Sequence, residues 1–198
     1  AQPDKVWLND GTGTFTVSGQ VFSSNYVEEV ALGDLNADGK LDIFIAAEEG
    51  GVEVWLNDGL GAFTESGQFI DLGDAWAYGI ALGDLDGDGD LDAFLATDED
   101  KGVWLNDGLG IFTNSGQLLA KSSEAVALGD VDGDGDLDAF VANWSRANKV
   151  WLNDGTGTFT KLGEKYGSPK NRNVKLGDID GEGDLESLLA NNGTANWI

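Results

Sequence analysis

The sequence predicts an all-β fold of repeated four-stranded antiparallel sheets, and three observations predict it. Val6-Trp7-Leu8-Asn9-Asp10-Gly11 returns as Val54 to Gly59, Val103 to Gly108 and Val150 to Gly155, so a unit of 47 to 49 residues repeats along the 198-residue chain. Each unit carries short runs of β-branched and aromatic residues bounded by glycine, too short for helices. Helical apolar periodicity of useful length is absent throughout. Repeats of ~40–50 residues with four strands each are the blades of a β-propeller.

The third unit shows how each element is read. Its strands are expected at Glu124 to Gly129, Leu137 to Ala142, Lys149 to Asn153 and Gly157 to Lys161. An acidic loop joins the first two, a variable loop the next two, and an Asn-Asp-Gly-x-Gly turn the last two, glycine supplying the positive φ values. The second and third strands are apolar on successive residues (Phe140-Val141-Ala142, Val150-Trp151-Leu152), so both of their faces are covered, as in a blade between two neighbours. Trp7, Trp55, Trp104 and Trp151 recur in register and are expected in the core.

The chain is read as one domain, 1–198, with blades at about 28–66, 78–115 and 124–162. A composite fourth blade joins 174–198 to 1–20, because the chain opens on a third strand (Val6-Trp7-Leu8) and closes on a first and second (Val174 to Leu176, Leu185 to Ala190). Such interlocking removes open sheet edges. Asn196-Trp197-Ile198 repeats the third-strand pattern that Trp7 already supplies, and the alternative is a fragment or half of a larger seven- or eight-bladed ring.

The acidic loop carries the chemistry. In Asp130-Val131-Asp132-Gly133-Asp134-Gly135-Asp136-Leu137-Asp138, the side chains of positions 1, 3, 5 and 9 (Asp130, Asp132, Asp134, Asp138) and the carbonyl of position 7 (Asp136) make a hard-oxygen cage suited to calcium. Gly135 permits the sharp turn. Without a cation the crowded carboxylates would repel one another. The first copy is Asp34, Asn36, Asp38, the Lys40 carbonyl and Asp42; the second is Asp84, Asp86, Asp88, the Asp90 carbonyl and Asp92. The fourth, Asp178, Asp180, Glu182, the Asp184 carbonyl and Glu186, has longer acids at positions 5 and 9 and is expected to bind most weakly. Three to four calcium ions per chain are expected. An EF-hand would need Glu at position 12, which here is Ile45, Leu95, Val141 or Leu189. A calcium-binding β-roll would need nine-residue repeats.

These Gly-Asp-x-[Asp/Asn]-x-[Asp/Glu]-Gly-x-Leu-[Asp/Glu] loops resemble the FG-GAP and VCBS-type repeats, the family that includes the calcium-binding blades of integrin α-subunit propellers. The resemblance covers nearly the whole chain. The Phe-Gly signature is missing, and Ala46-Ala47, Ala96-Thr97, Ala142-Asn143 and Ala190-Asn191 replace the Gly-Ala-Pro that ends the integrin-type repeat. The resemblance therefore points to the bacterial VCBS-like branch rather than to integrin-type ligand recognition.

Composition narrows the function. The formal charge is −25, and the four loops hold half of the 36 acids; four calcium ions would leave about −17. That charge opposes nucleic-acid or anionic-membrane partners. No apolar run is long enough for membrane insertion, and with no initiator Met or leader the chain reads as a mature or trimmed product. With no His and no Cys, the usual triads and dyads are absent, so the chain is read as a non-enzyme. A carbohydrate-active enzyme using Glu28 or Glu124 is the second alternative.

Comparing the repeats isolates what does not repeat. Seven residues before the loop glycine stand Tyr26, Trp76, Ser122 and Lys170, and five before it Glu28, Tyr78, Glu124 and Arg172. The loop between second and third strands varies too: Glu48-Glu49-Gly50, Asp98-Glu99-Asp100, Trp144-Ser145-Arg146 and Asn191-Asn192-Gly193. In a meander both sets lie at the end opposite the metal loops. Tyr26, Trp76, Tyr78, Trp144 and Arg146 are the candidate ligand-binding residues. The expectation is an extracellular, secreted or cell-surface, calcium-stabilised binding or adhesion module of lectin type, with a glycan or an extracellular protein as partner. A structural or protein-interaction repeat without soluble ligand is the alternative. A monomer is expected ahead of a dimer.

Overall fold

The computed structural model describes residues 5–22, 27–47, 51–119, 121–163, 165–167 and 170–192. The described regular structure is all β. Three four-stranded antiparallel meanders succeed one another: β3 (Val27–Gly33), β4 (Asp42–Ala47), β5 (Gly51–Asn57) and β6 (Phe63–Asp71); then β7 (Ala77–Gly83), β8 (Asp92–Thr97), β9 (Val103–Asn106) and β10 (Phe112–Asn114); then β11 (Ser123–Gly129), β12 (Asp138–Asn143), β13 (Lys149–Asn153) and β14 (Phe159–Lys161). A hairpin of β1 (Lys5–Asn9) and β2 (Phe15–Val21) precedes them, and a pair of β15 (Asn171–Gly177) and β16 (Glu186–Asn191) follows. These are propeller blades. Their first strands stand side by side, β3 by β7, β7 by β11 and β11 by β15.

Burial follows the predicted pattern. The second strands β4, β8 and β12 are buried at every residue, because a neighbouring blade covers each face. The filler comes from the next blade: the Phe112 ring meets Phe44 edge-on at 5.0 Å, and Phe159 meets Phe94 at 5.3 Å. Main-chain latches accompany these contacts. Gln68 accepts the Phe112 N–H and donates to the Phe112 carbonyl, both at 2.7 Å, while Gln117 accepts from Phe159 and donates to Gly157. Gln20 accepts the Phe63 N–H in the same way.

Glycine sets the spacing between blades. A Cβ on Gly33, Gly83 or Gly129 would come within 2.7, 2.6 or 2.6 Å of the Leu91, Leu137 or Leu185 methyl of the following blade. The second, third and fourth acidic loops thus seat their position 8 leucines on the preceding blade. At the two ends of the series this contact is missing among the described residues: Leu41 is 57% exposed, and a Cβ on Gly177 would meet open space.

The recurring tryptophans do not all behave alike. Trp55 and Trp104 are buried, as expected, but Trp151 is only half-buried and Trp7 is 57% exposed. That corrects the reading of Trp7 as core. Its hairpin pairs only with itself among the described residues, so no inner strands cover it. The halves expected to make a composite blade form two separate two-stranded sheets, and residues 193–198 lie outside the described residues.

Candidate metal centres

Each acidic loop closes a hairpin between a blade's first and second strands, and in the first three loops the last acid ties the loop to the third strand. Asp92 and Asp138 open β8 and β12 and are fully buried. One Asp92 oxygen accepts the Leu85 N–H at 2.9 Å and the other the Asn106 N–H at 2.8 Å. Asp138 accepts from Val131 and Asn153, both at 2.9 Å, and Asp42 from Leu35 and Asn57. Position 9, read from sequence as a ligand alone, is also the joint that holds the loop on its blade.

At the opposite end of the loop, position 1 gathers main-chain donors. Asp130 accepts the N–H groups of Gly133 at 2.7 Å and Gly135 at 3.0 Å, and Asp84 and Asp178 accept from their equivalents. This curl needs left-handed backbone at two positions. Gly133 has φ 82° and Gly135 φ 98°; in the first loop Ala37 occupies position 4 with φ 57°. The sequence reading asked for glycine only at position 6. The glycine at position 4 of the other three copies was the visible signal.

Positions 1, 3 and 9 converge. In Asp84, Asp86 and Asp92, in Asp130, Asp132 and Asp138, and in Asp178, Asp180 and Glu186, one oxygen from each acid lies within 4.8 Å of the other two. Oxygens that share a calcium at ~2.4 Å cannot be more than ~4.8 Å apart, so each trio fits one hard cation. Three carboxylates with no nitrogen or sulfur donor are a set that such a cation takes. The position 5 acids stand outside these trios; Asp88 and Asp134 accept the N–H of position 7 instead. In the fourth loop Glu186 takes the seat of the shorter acids, accepting the Ile179 N–H at 2.7 Å. The first loop has Asn36 at position 3, and Lys40 Nζ lies 3.1 Å from Asp38, a hydrogen bond that holds the Asp38 carboxyl below its usual range.

Electrostatics explains why a cation is wanted. Burial pushes the Asp92 carboxyl up to about 6, against the opposing pull of the Asn106 and Leu85 N–H groups, and the charges of Asp86 and Asp88 push the same way. Burial likewise raises Asp138 and Asp86. A bound cation reverses this by favouring the ionised acids.

The profile of the FG-GAP-like repeat matches four times, at residues 1–45, 34–95, 84–141 and 130–189. The chain belongs to this family. No individual curated protein matches it significantly. In this FG-GAP-like chain the matched segments run from one acidic loop to the next, and the structure gives that period a physical link. Asn106 Nδ2 donates to the Leu35 carbonyl at 2.9 Å, and Asn153 Nδ2 to Leu85 at 2.8 Å, so the first and second metal loops are each tied to the Asn-Asp-Gly turn of the following blade. From the sequence, those asparagines belong to the turn alone. Their recurrence in every unit was the signal.

The far end of the FG-GAP-like blades holds the other candidates. Trp76 and Tyr78 pack at 6.4 Å between ring centroids, tilted by 35°, with Trp76 38% exposed. Asp98 Oδ1 accepts the Trp76 N–H at 2.8 Å. Arg172 stacks on the Trp144 ring at 4.4 Å and reaches Glu124 at 3.4 Å. Glu29, Tyr78, Glu124 and Arg172, one from each of four first strands, share a narrow cavity of about 60 Å³. Burial raises the Tyr78 phenol above its ordinary range, and the charges of Asp98, Glu124 and Glu28 add to it. Burial also raises Glu124, opposed by Arg172. Arg146 is exposed, and Tyr26 lies outside the described residues. Arg172 and Asp98 were missed as site residues, although both stood among the positions that break the repeat. No helix among the described residues is long and apolar enough to cross a membrane.

Proposed function

We propose that the chain is a calcium-stapled recognition module that binds carbohydrate on the rim opposite its metal loops. The observation that carries this reading is the meeting of residues that differ from blade to blade. Trp76 and Tyr78 come from one blade and Trp144 from the next, with Arg172 following, and they are gathered at one end. Aromatic faces beside carboxylates and a guanidinium suit a pyranose ring, which offers an apolar C–H face and a fringe of hydroxyls.

Calcium is the cation that the oxygen trios favour, and extracellular calcium-binding modules work at millimolar affinity. An extracellular setting, secreted or at a cell surface, fits both that demand and the charge of −25. On this reading the metal is structural and the chain is not an enzyme; Glu124, one of two acids weighed for catalysis, is held by Arg172. Closure within one chain would bring the two half-blades, β1–β2 and β15–β16, together and seat Leu41 on Gly177, and a monomer is the state expected on this reading.

A glycan array probed with the calcium-loaded chain, with chelated chain and with Trp76→Ala tests this. Binding that needs calcium and Trp76 is the expected result. Binding to no glycan would leave the alternative, a repeat that serves structure or protein contact.

A further inference from the structure

We infer that the Trp76–Tyr78 pair seats a protonated amine borne by the sugar, so that the preferred ligand is a glycan of amino sugars with free amines. The inference rests on the carbohydrate reading and deepens it.

The protein itself supplies the precedent on the same rim. Arg172 lies 4.4 Å over the Trp144 ring while its guanidinium reaches Glu124, so here an aromatic face and a carboxylate together hold a cation. The Trp76–Tyr78 pair has the same ingredients. Asp98 is hydrogen-bonded to the Trp76 main chain, and Tyr78 lies in the field of Asp98, Glu124 and Glu28. Among the described residues, however, the cations that lie over aromatic rings are Arg172 on Trp144 and Lys149 on Trp151. Trp76 and Tyr78 thus present rings in the field of Asp98 with, among the described residues, no protein cation over them.

A neutral sugar would use the ring faces and leave that field unanswered. A 2-amino sugar uses both: its C–H face packs on the indole, and its ammonium lies over an aromatic face on the side of Asp98. The ammonium on a pyranose is carried close to the stacked face, which suits a shallow pair better than the long stem of a lysine.

The test is calorimetry on the full calcium-loaded chain, in excess calcium at about pH 6, where a primary amine is protonated. The probes are three β-1,4-linked tetramers differing only at C2: glucosamine, N-acetylglucosamine and glucose. Glucosamine is expected to bind at least about tenfold tighter than the other two, the scale of one cation–π contact with its carboxylate. Asp98→Asn keeps an oxygen for the Trp76 N–H and loses the charge. It should reduce the preference to within about twofold. Equal affinity for all three sugars overturns the amine inference and leaves the carbohydrate reading standing. Binding of none overturns both. Glucosamine binding that survives Trp76→Ala unchanged is attraction to the acidic surface at large and also overturns the inference.

Discussion

Replacing Asp92 with alanine separates its two tasks, metal ligand and main-chain joint. Holding this buried carboxyl at a pKa of about 6 against its ordinary 3.8 costs the metal-free protein ~3 kcal/mol at neutral pH, a cost that alanine removes. Against that gain, the N–H groups of Leu85 and Asn106 lose their acceptor, at ~1–3 kcal/mol each. The two effects oppose each other, so the chelated variant should differ from the parent by no more than about 3 kcal/mol. Calcium breaks the balance. The parent gains ~1.4 kcal/mol from each site filled at ten times its Kd, and the variant has one site fewer. Its calcium-induced rise in Tm should therefore fall short of the parent's by ~3–6 °C at this chain length. Differential scanning calorimetry with chelator and with calcium measures the difference, and a titration of stripped protein counts the ions. The same calcium-induced rise and the same ion count in parent and variant would refute the assignment of Asp92.

Titration of the stripped parent should give three to four calcium ions; fewer than three removes the reading of the loops. Because the folded pKa of Asp92 is raised, the metal-free native state holds a proton that the unfolded chain has released between about pH 4 and pH 6. That contribution to stability is present below about pH 4 and lost as pH rises through about 6, whereas calcium requires the ionised acid. The calcium-induced rise in Tm should thus shrink as pH falls through about 6, and a flat profile would contradict it. Gly83→Ala places a Cβ 2.6 Å from the Leu137 methyl and should cost ~1–3 kcal/mol in denaturant unfolding. Gly177→Ala should cost as much if Leu41 seats there; a neutral Gly177→Ala, or a dimer in sedimentation, would overturn closure within one chain.

Much of this architecture was legible in the residues. Local chemistry recurs with period in the sequence, so the four acidic loops, the Asn-Asp-Gly turns and the four-strand unit could be read from spacing. The double apolar runs of the second strands announced cover on both faces, and β4, β8 and β12 are buried throughout. What escaped was contact between units. Gln68 reaches Phe112, Asn106 reaches Leu35, and Leu137 seats on Gly83; each joins residues about a repeat or more apart, and nothing in the local pattern of either says which partner it meets. The same gap explains Trp7, whose sequence context matches that of Trp55 and whose surroundings do not.

The sequence by itself determined the elements, the donor set of each loop and the positions that break the repeat, because those depend on residue type and on separations of a few residues. Tertiary structure decided which donors converge and which stand aside. It drew positions 1, 3 and 9 together and turned position 5 to the main chain, since the curl of the loop is fixed by left-handed backbone at two positions and by the tie from position 9 to the third strand. It also brought Tyr78, Glu124 and Arg172, scattered over about a hundred residues, to one cavity, because first strands of successive blades stand side by side.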